Sequence, residues 1–449
     1  MSSDSVSRRS VLQTGAAALA LSAAKAKAAE AKTLRVGFVG VGGRGTSLLE
    51  QMLRMDNVAV PAIADISESN LARAQKMVSD TGLAKPEGYS RGERDFERLC
   101  DRSDLDLVLN ATPWHWHTPI SVAAMKAGKH AATEVPAAIT LEQCWELVET
   151  SEKTGKHCMM LENDCYYEAT LMVLNMLREG LLGEALFAEG GYMHDLRSVK
   201  FGATKDGPVS NAESWRLEHT LKRNGNLYPT HPIGPISWWL DINRGDRYSS
   251  IVSMSSRSGA MREYAEREFG KDDWRAKAEY RQGDVNTSIL QTARGRLVHL
   301  VFDTNTPRVK EHITRLQGSK GAYSYMMGKI FVDGVSFKSE DEESWRSRHE
   351  WEDIAPFEQK YQHKLWRDRG EAARSSGHGG VDYMLIYRLV KRLQAGLAPD
   401  MDVYDAAAWS AIFPLSQTSV AARSMPVDFP DFTRGRWENR APINPDDIE

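Results

Sequence analysis

The chain has 449 residues, too many for one ordinary domain and enough for about two to three. With 41% hydrophobic and 26% charged residues, its composition excludes disorder, a collagen-like fibre and a polytopic membrane protein. The formal net charge of -4 leaves no basic excess for counterion release, so no nucleic-acid partner is expected. Cys100, Cys144, Cys158 and Cys165 show neither zinc spacing nor a redox pair, so free buried thiols and no metal are expected.

Residues 1–30 read as an address. Ser7-Arg8-Arg9-Ser10-Val11-Leu12 fits the twin-arginine pattern, and Ala26-Lys27-Ala28 is an A-x-A cleavage site after a mild Ala/Leu run. That run is far short of the about 20 apolar residues that span a bilayer. The twin-arginine translocase is therefore an expected partner, and the periplasm or the outside the expected destination. This route carries proteins already folded, and so already loaded with any cofactor.

A dinucleotide fold follows. Leu34 to Val39 is a short apolar strand, and Gly40-Val41-Gly42-Gly43-Arg44-Gly45 is a full G-x-G-x-x-G leading into a helix over Thr46 to Met55. Gly40 permits the tight turn, Gly42 lets a pyrophosphate approach, and Gly45 lets helix and strand pack. A second strand, Val58 to Ala64, ends in Asp65, twenty residues after Gly45. A carboxylate there reads a ribose diol and repels a 2′-phosphate, which favours NAD. Helices over Ser67–Asp80, His117–Ala127 and Thr140–Thr154 alternate with strands over Leu105–Asn110, His130–Thr133 and His157–Leu161. The predicted architecture is a doubly wound parallel Rossmann sheet over residues 31–165.

From residue 166 to 449 the pattern changes to an α+β lobe. Strands are expected over Ala185–Met193, Ser249–Met254, Val285–Thr292, Leu297–Phe302 and Glu311–Leu316, mostly antiparallel. A solvated helix is expected over Glu263–Arg281. Surface helix and loop are expected over Ser339–Arg374, and the last helices over Asp382–Gln394 and Asp402–Ala422. An assembly of identical copies stays open.

Ligands of open α/β sheets sit at strand carboxyl ends. Here these ends carry Trp114-His115-Trp116-His117, Glu134-Val135-Pro136 and Glu162-Asn163-Asp164-Cys165-Tyr166. In the second lobe Tyr228 and His231 are three apart at a helix start, a plausible proton-transfer pair, and Arg216 suits an oxyanion or an amide carbonyl.

At these strings the chain resembles glycoside hydrolase family 109, the NAD-dependent α-N-acetylgalactosaminidase-like branch of the Gfo/Idh/MocA superfamily. Gly283-Asp284-Val285-Asn286-Thr287, Gly377-His378-Gly379-Gly380, Asp402-Val403-Tyr404-Asp405-Ala406 and Asp431-Phe432-Thr433-Arg434-Gly435 extend the likeness along nearly the whole mature chain. The resemblance implies NAD contacts from Arg44, Gly45, Asp65, Trp114 to His117, Glu134, Val135 and Asn163. It implies sugar contacts from Tyr166, Tyr192, Arg216, Tyr228 and His231. It also implies hydrolysis by transient oxidation of sugar C3, loss of the C2 proton, elimination, water addition and re-reduction. Tyr228, His231 and Tyr166 are the candidate proton-transfer groups, unassigned one to one. Val135 occupies the place of a lysine found in many related dehydrogenases, which weakens an ordinary dehydrogenase reading. One departure from the family stands out. Lys310, in Thr306-Pro307-Arg308-Val309-Lys310, stands where the family has a tyrosine, and is expected on the sugar side. The rival reading is a periplasmic sugar oxidoreductase with net redox turnover.

Overall fold

Strands and helices alternate from Leu34 onward, as a parallel sheet requires. This computed structural model describes residues 33–204, 207–208, 215–336 and 350–445; the expected signal peptide lies outside them. The first half runs β1 (Leu34–Val39), α1 (Gly43–Met52), β2 (Val58–Ala64), α2 (Glu68–Asp80), β3 (Glu87–Tyr89), α3 (Phe96–Cys100), β4 (Leu107–Asn110), α4 (Trp114–Lys126), β5 (His130–Thr133), α5 (Leu141–Thr154) and β6 (Cys158–Met160). The six strands pair in parallel in the order β3-β2-β1-β4-β5-β6. Local chemistry sets the boundaries. Ser67 and Thr140 cap α2 and α5 through their hydroxyls, and Gly155, in the left-handed region, closes α5.

One boundary differs from expectation. The helix expected from His117 starts three residues earlier, at Trp114. Asn110, at the end of β4, holds this turn. Its Oδ1 accepts from the Thr112 amide (3.1 Å) and hydroxyl (2.7 Å), and its Nδ2 donates to His117 O (3.2 Å). The Trp-His-Trp-His string is thus the first helical turn, and its side chains diverge.

The second half opens with α6 (Glu168–Arg178), β7 (Ala185–Met193), α7 (Arg197–Lys200), α8 (Trp215–Lys222), α9 (Thr230–Trp239), β8 (Tyr248–Ser255) and α10 (Ala260–Phe269). It continues through β9 (Asn286–Thr292), β10 (Leu297–Asp303), β11 (Glu311–Gly318), β12 (Gly321–Ser324), β13 (Lys329–Val332) and β14 (Glu352–Asp353). It closes with α11 (Ala355–Tyr361), α12 (Lys364–Arg374), α13 (Val381–Gln394), α14 (Val403–Ala421) and β15 (Val427–Asp428). Its nine-stranded sheet has the order β14-β13-β12-β11-β7-β10-β9-β8-β15, antiparallel throughout except for β7 beside β10. The long helix expected over Glu263–Arg281 ends instead at Gly270, whose φ of 90° a helix cannot continue. Strands β12 and β13 were not anticipated, and residues 339–349 of the expected surface stretch lie outside the described ones.

Helix α14 is buried on nearly every side and joins the halves. Asp402 and Asp405 form its capping box. Three of its serines accept backbone amides. Ser410 takes Ala137 N–H (3.0 Å) of the first half, Ser416 takes Asn226 N–H (2.9 Å), and Ser419 takes Ser253 N–H (2.8 Å) of the second sheet. No helix among the described residues is long and apolar enough to cross a membrane. All four cysteines are free and buried.

Candidate active site

The glycine turn has the geometry expected of a dinucleotide cradle. Gly40 has φ 82°, and a Cβ there would meet Thr112 and Ala111. A Cβ on Gly45 would lie 1.9 Å from Gly40 O, so only glycine lets α1 pack this closely. At Gly42 and Gly43 a Cβ would meet almost nothing, which leaves open space in front of the helix N-terminus. No side chain caps α1, so its first amides face that space. Asp65, at the end of β2, accepts from the amides of Val41 and Ser67, both at 2.8 Å.

Arg44 projects from this turn into a charge junction. Its guanidinium donates to Glu134 Oε1 (2.6 Å) and to both oxygens of Asp382 (2.6 and 3.0 Å). Asp382 also accepts from Asn163 Nδ2 (2.8 Å) and His378 Nδ1 (2.7 Å). Burial alone would raise the Asp382 carboxyl, but His378 and Arg44 hold it well below the usual range. The Gly377–Gly380 string therefore turns α13 back onto the glycine loop, across more than three hundred residues of chain. Val135 is buried, and its amide donates to Glu134 Oε2 (3.2 Å).

The first turn of α4 splits its four residues. His117 is buried with its ring between Pro136 O and Thr112 O, both at 2.7 Å, and burial lowers its pKa. It braces two loops of the sheet's carboxyl edge. Trp116 packs edge-on to Phe96, and His115 is exposed. Trp114 alone turns to the second half, where it stacks on Tyr228 (centroids 5.5 Å, 24°).

Tyr228 leads into α9 and touches Tyr192 (4.8 Å) and His231 (5.0 Å). The Arg216 guanidinium lies over Trp114 and Tyr228, at 5.4 and 5.8 Å. His231 Nδ1 donates to Glu162 Oε1 (2.7 Å), with Asp164 Oδ1 3.8 Å away. Burial opposes a charged ring, but Glu162 and Asp164 outweigh it and lift His231 to about 9. Burial in turn raises the Glu162 carboxyl, against the pull of His231. The pair thus holds a proton at neutral pH, with Nε2 left for a substrate. Burial also pushes the Tyr192 phenol up to about 12 and raises Tyr228 well above its ordinary value, so both are neutral donors.

Comparison with known proteins decides the kinship. Residues 166–439 match the model for the C-terminal domain of glycosyl hydrolase 109, and residues 34–162 that of the oxidoreductase family NAD-binding Rossmann fold. A glycosyl hydrolase family 109 protein of Solibacter usitatus is 43% identical over 92% of this chain and 91% of its own. The chain belongs to glycosyl hydrolase family 109. Its relative in Saccharopolyspora erythraea is 43% identical over 92% of this chain and 86% of its own. Among solved structures, levoglucosan dehydrogenase in complex with NADH shares the fold, with TM-score 0.66 at 20% identity over 89% of this chain and 99% of its own.

This family 109 chain is an NAD-using glycosidase. Its own residues fit the cofactor. Beyond the open glycine cradle, Asn163 Oδ1 is a buried acceptor with no partner among the described residues. Such an atom suits an amide N–H.

Two expected sugar-side residues stand apart from the Tyr228–His231 cluster. Tyr166 is fully buried. Its hydroxyl donates to Asp400 (2.9 Å), itself paired with Arg388 (2.6 Å), so this phenol supports the core and is not brought to the cluster. Lys310 is exposed at the mouth of a separate cleft of about 730 Å³, shared with Asp164, Tyr167, Trp239 and Tyr325. Asp164 belongs to both sides, since it also faces His231. The sequence reading gave Glu162 and Asp164 no role, although both follow a strand's carboxyl end. It also missed Asp382, Lys200, His219 and Gln282, whose positions depend on contacts between distant segments.

Proposed function

We propose that this enzyme cleaves N-acetylgalactosaminide-type glycosides by transient oxidation at C3, elimination across C1–C2, addition of water and re-reduction. The observation that supports it is the buried Glu162–His231 pair, set beside two neutral phenols at the sheet's carboxyl edge. NAD, when bound, supplies the hydride acceptor that makes C3 a carbonyl and the C2 hydrogen acidic. Glu162 orients the imidazole and carries its charge, so Nε2 is presented as an acid to the departing anomeric oxygen. Tyr228 and Tyr192, too buried to ionise freely, donate hydrogen bonds to sugar hydroxyls and to the C3 carbonyl oxygen. The C2 proton passes to Asp164, the carboxylate that faces His231, and returns to C2 as water adds, while the C3 hydroxyl proton leaves to solvent and comes back on re-reduction. Trp114 gives the sugar ring an apolar face, and Arg216 holds a carbonyl oxygen. The Arg44 junction fixes Asn163 and Glu134 around the cofactor.

The test is a panel of aryl glycosides offered to the purified protein without added NAD, in D₂O. Release of the aryl group, with deuterium at C2 of the free sugar, supports the reading. Release with C2 unlabelled overturns the elimination. The second reading, a sugar oxidoreductase with net turnover, draws on the fold shared with levoglucosan dehydrogenase; it predicts that a keto-sugar accumulates and that cleavage is absent.

We also propose that the protein is exported by the twin-arginine route, on the Ser7–Leu12 string. Replacing Arg8→Lys together with Arg9→Lys should hold the folded precursor in the cytoplasm. Export of the double variant at the normal level would refute it.

A further inference from the structure

A small pocket, open to solvent, lies beside Trp114 and Tyr228, and Asp164 is not in its lining. Its lining holds Lys200, Arg216, His219 and Gln282 and, among the described residues, no carboxylate. Lys200, the last residue of α7, is 4% exposed. Its ammonium donates to Thr304 Oγ1 (2.7 Å) and Asn305 Oδ1 (2.5 Å), both uncharged. An ammonium has three donors, so one remains for the pocket. The nearest acids are engaged elsewhere. Asp303 accepts from the amides of Asn305 and Thr306 (both 3.0 Å) and from Arg308 (3.3 Å), Asp195 pairs with Arg197 (2.7 Å), and Asp284 caps α10 at Ala260 N–H (3.1 Å).

Gln282 supplies an independent sign. It is 1% exposed, and its Nε2 has no acceptor among the described residues. A buried donor without a partner is costly and marks the place where an acceptor belongs. His219 adds no charge, because burial and Arg223 bring its pKa down to about 4. Lys200 itself is brought down to about 7 by burial and by Arg216, despite Asp303, Asp195 and Asp284. A buried cation in this condition lacks a counter-charge.

We propose that this pocket is an anion subsite, in which Lys200 and Gln282, next to Arg216, hold a carboxylate, sulfate or phosphate substituent of the sugar. The inference rests on the reading of the Tyr228–His231 face as the sugar face. Lys310 is not part of it, since that lysine lies in the other cleft with Asp164.

Calorimetry with the NAD-loaded protein tests it without turnover. Galacturonate, galactose 6-sulfate and galactose 6-phosphate are compared with galactose at pH 7.5, in two buffers of different ionisation enthalpy. At least one anion should bind about tenfold tighter than galactose, with net proton uptake as Lys200 charges. Lys200→Met should abolish the uptake and lower the anion-to-galactose ratio about tenfold. Gln282→Leu removes no cation; it should lower the same ratio and serves if Lys200→Met does not fold. Equal affinity for galactose and all three anions overturns the subsite, as does an unchanged ratio in both variants. A protein that binds sugar acids but cleaves no glycoside keeps the subsite and loses the proposed reaction. One that cleaves neutral glycosides with no anion preference does the reverse.

Discussion

The cofactor side and the sugar side of this site are built on opposite principles. Around the glycine turn each charge meets its opposite. Arg44 is held by Glu134 and Asp382, and Asp382 by His378 and Asn163. Across Tyr228 the polar groups are left unmatched or displaced. Glu162 Oε2 and Gln282 Nε2 have no partner among the described residues, His231 is raised to about 9 and Lys200 lowered to about 7. The paired charges fix geometry and leave Asn163 Oδ1 open, which suits a cofactor that stays bound. Unsatisfied groups store interaction for a ligand or a transition state, and they gather where chemistry is done.

Breaking each side should therefore fail in a different currency. On the sugar side, His231→Ala should lower kcat by roughly 10²–10⁴-fold. Circular dichroism and bound NAD should stay at the normal level, and an intact rate would return His231 to a structural role. On the cofactor side, Asp382→Ala leaves Arg44, Asn163 and His378 without their shared acceptor. Unfolding free energy should fall by about 3–5 kcal/mol, and NAD should be lost on gel filtration. A variant with full NAD and unchanged denaturant midpoint would show that the junction is incidental.

A pH series sharpens the contrast. The folded pKa of His231 lies above its unfolded value of about 6.5. Its stabilising contribution is therefore complete below about 6.5 and lost as pH rises through about 9. The melting temperature should decline over that window, and Glu162→Gln should flatten the decline. If His231 acts as an acid, kcat/KM also falls above about 9. A flat profile from pH 6 to 10 would contradict a charged His231. The smallest effect belongs to Tyr166→Phe, which removes one buried hydrogen bond to Asp400. About 1 kcal/mol of stability should go, with kcat nearly unchanged. A loss of a hundredfold or more in kcat would restore Tyr166 to the reaction.

The first half was legible because its signals are local. A strand, three glycines, a second strand and an acid lie within about thirty residues, and Ser67, Thr140 and Gly155 mark helix ends in place. The short strands β12 and β13 are set by sheet pairing, which composition does not reveal. The site was legible in part for the same reason. Trp114, Tyr228 and His231 announce themselves as rare residues at element starts. Tyr166 and Tyr192 look alike in the sequence, yet one faces Asp400 in the core and the other faces His231. Tyr166 closes the buried short turn Asn163–Tyr166, whereas Tyr192 lies on β7. Lys200 is anchored on Thr304 and Gln282 on Thr220, in segments with no common motif.

Helix α14 also constrains the order of assembly. Ala137 and Ser410, bonded at 3.0 Å, are 273 positions apart, and α14 covers α5 and β6 of the nucleotide half. Synthesis at about 5–20 residues per second would put roughly 15–50 seconds between the emergence of those two residues. During that interval the sheet's flank has no cover, and its buried apolar residues are open to aggregation or to a chaperone. The N-terminal half is therefore made first and finished last, which makes the final helices a checkpoint on the whole chain.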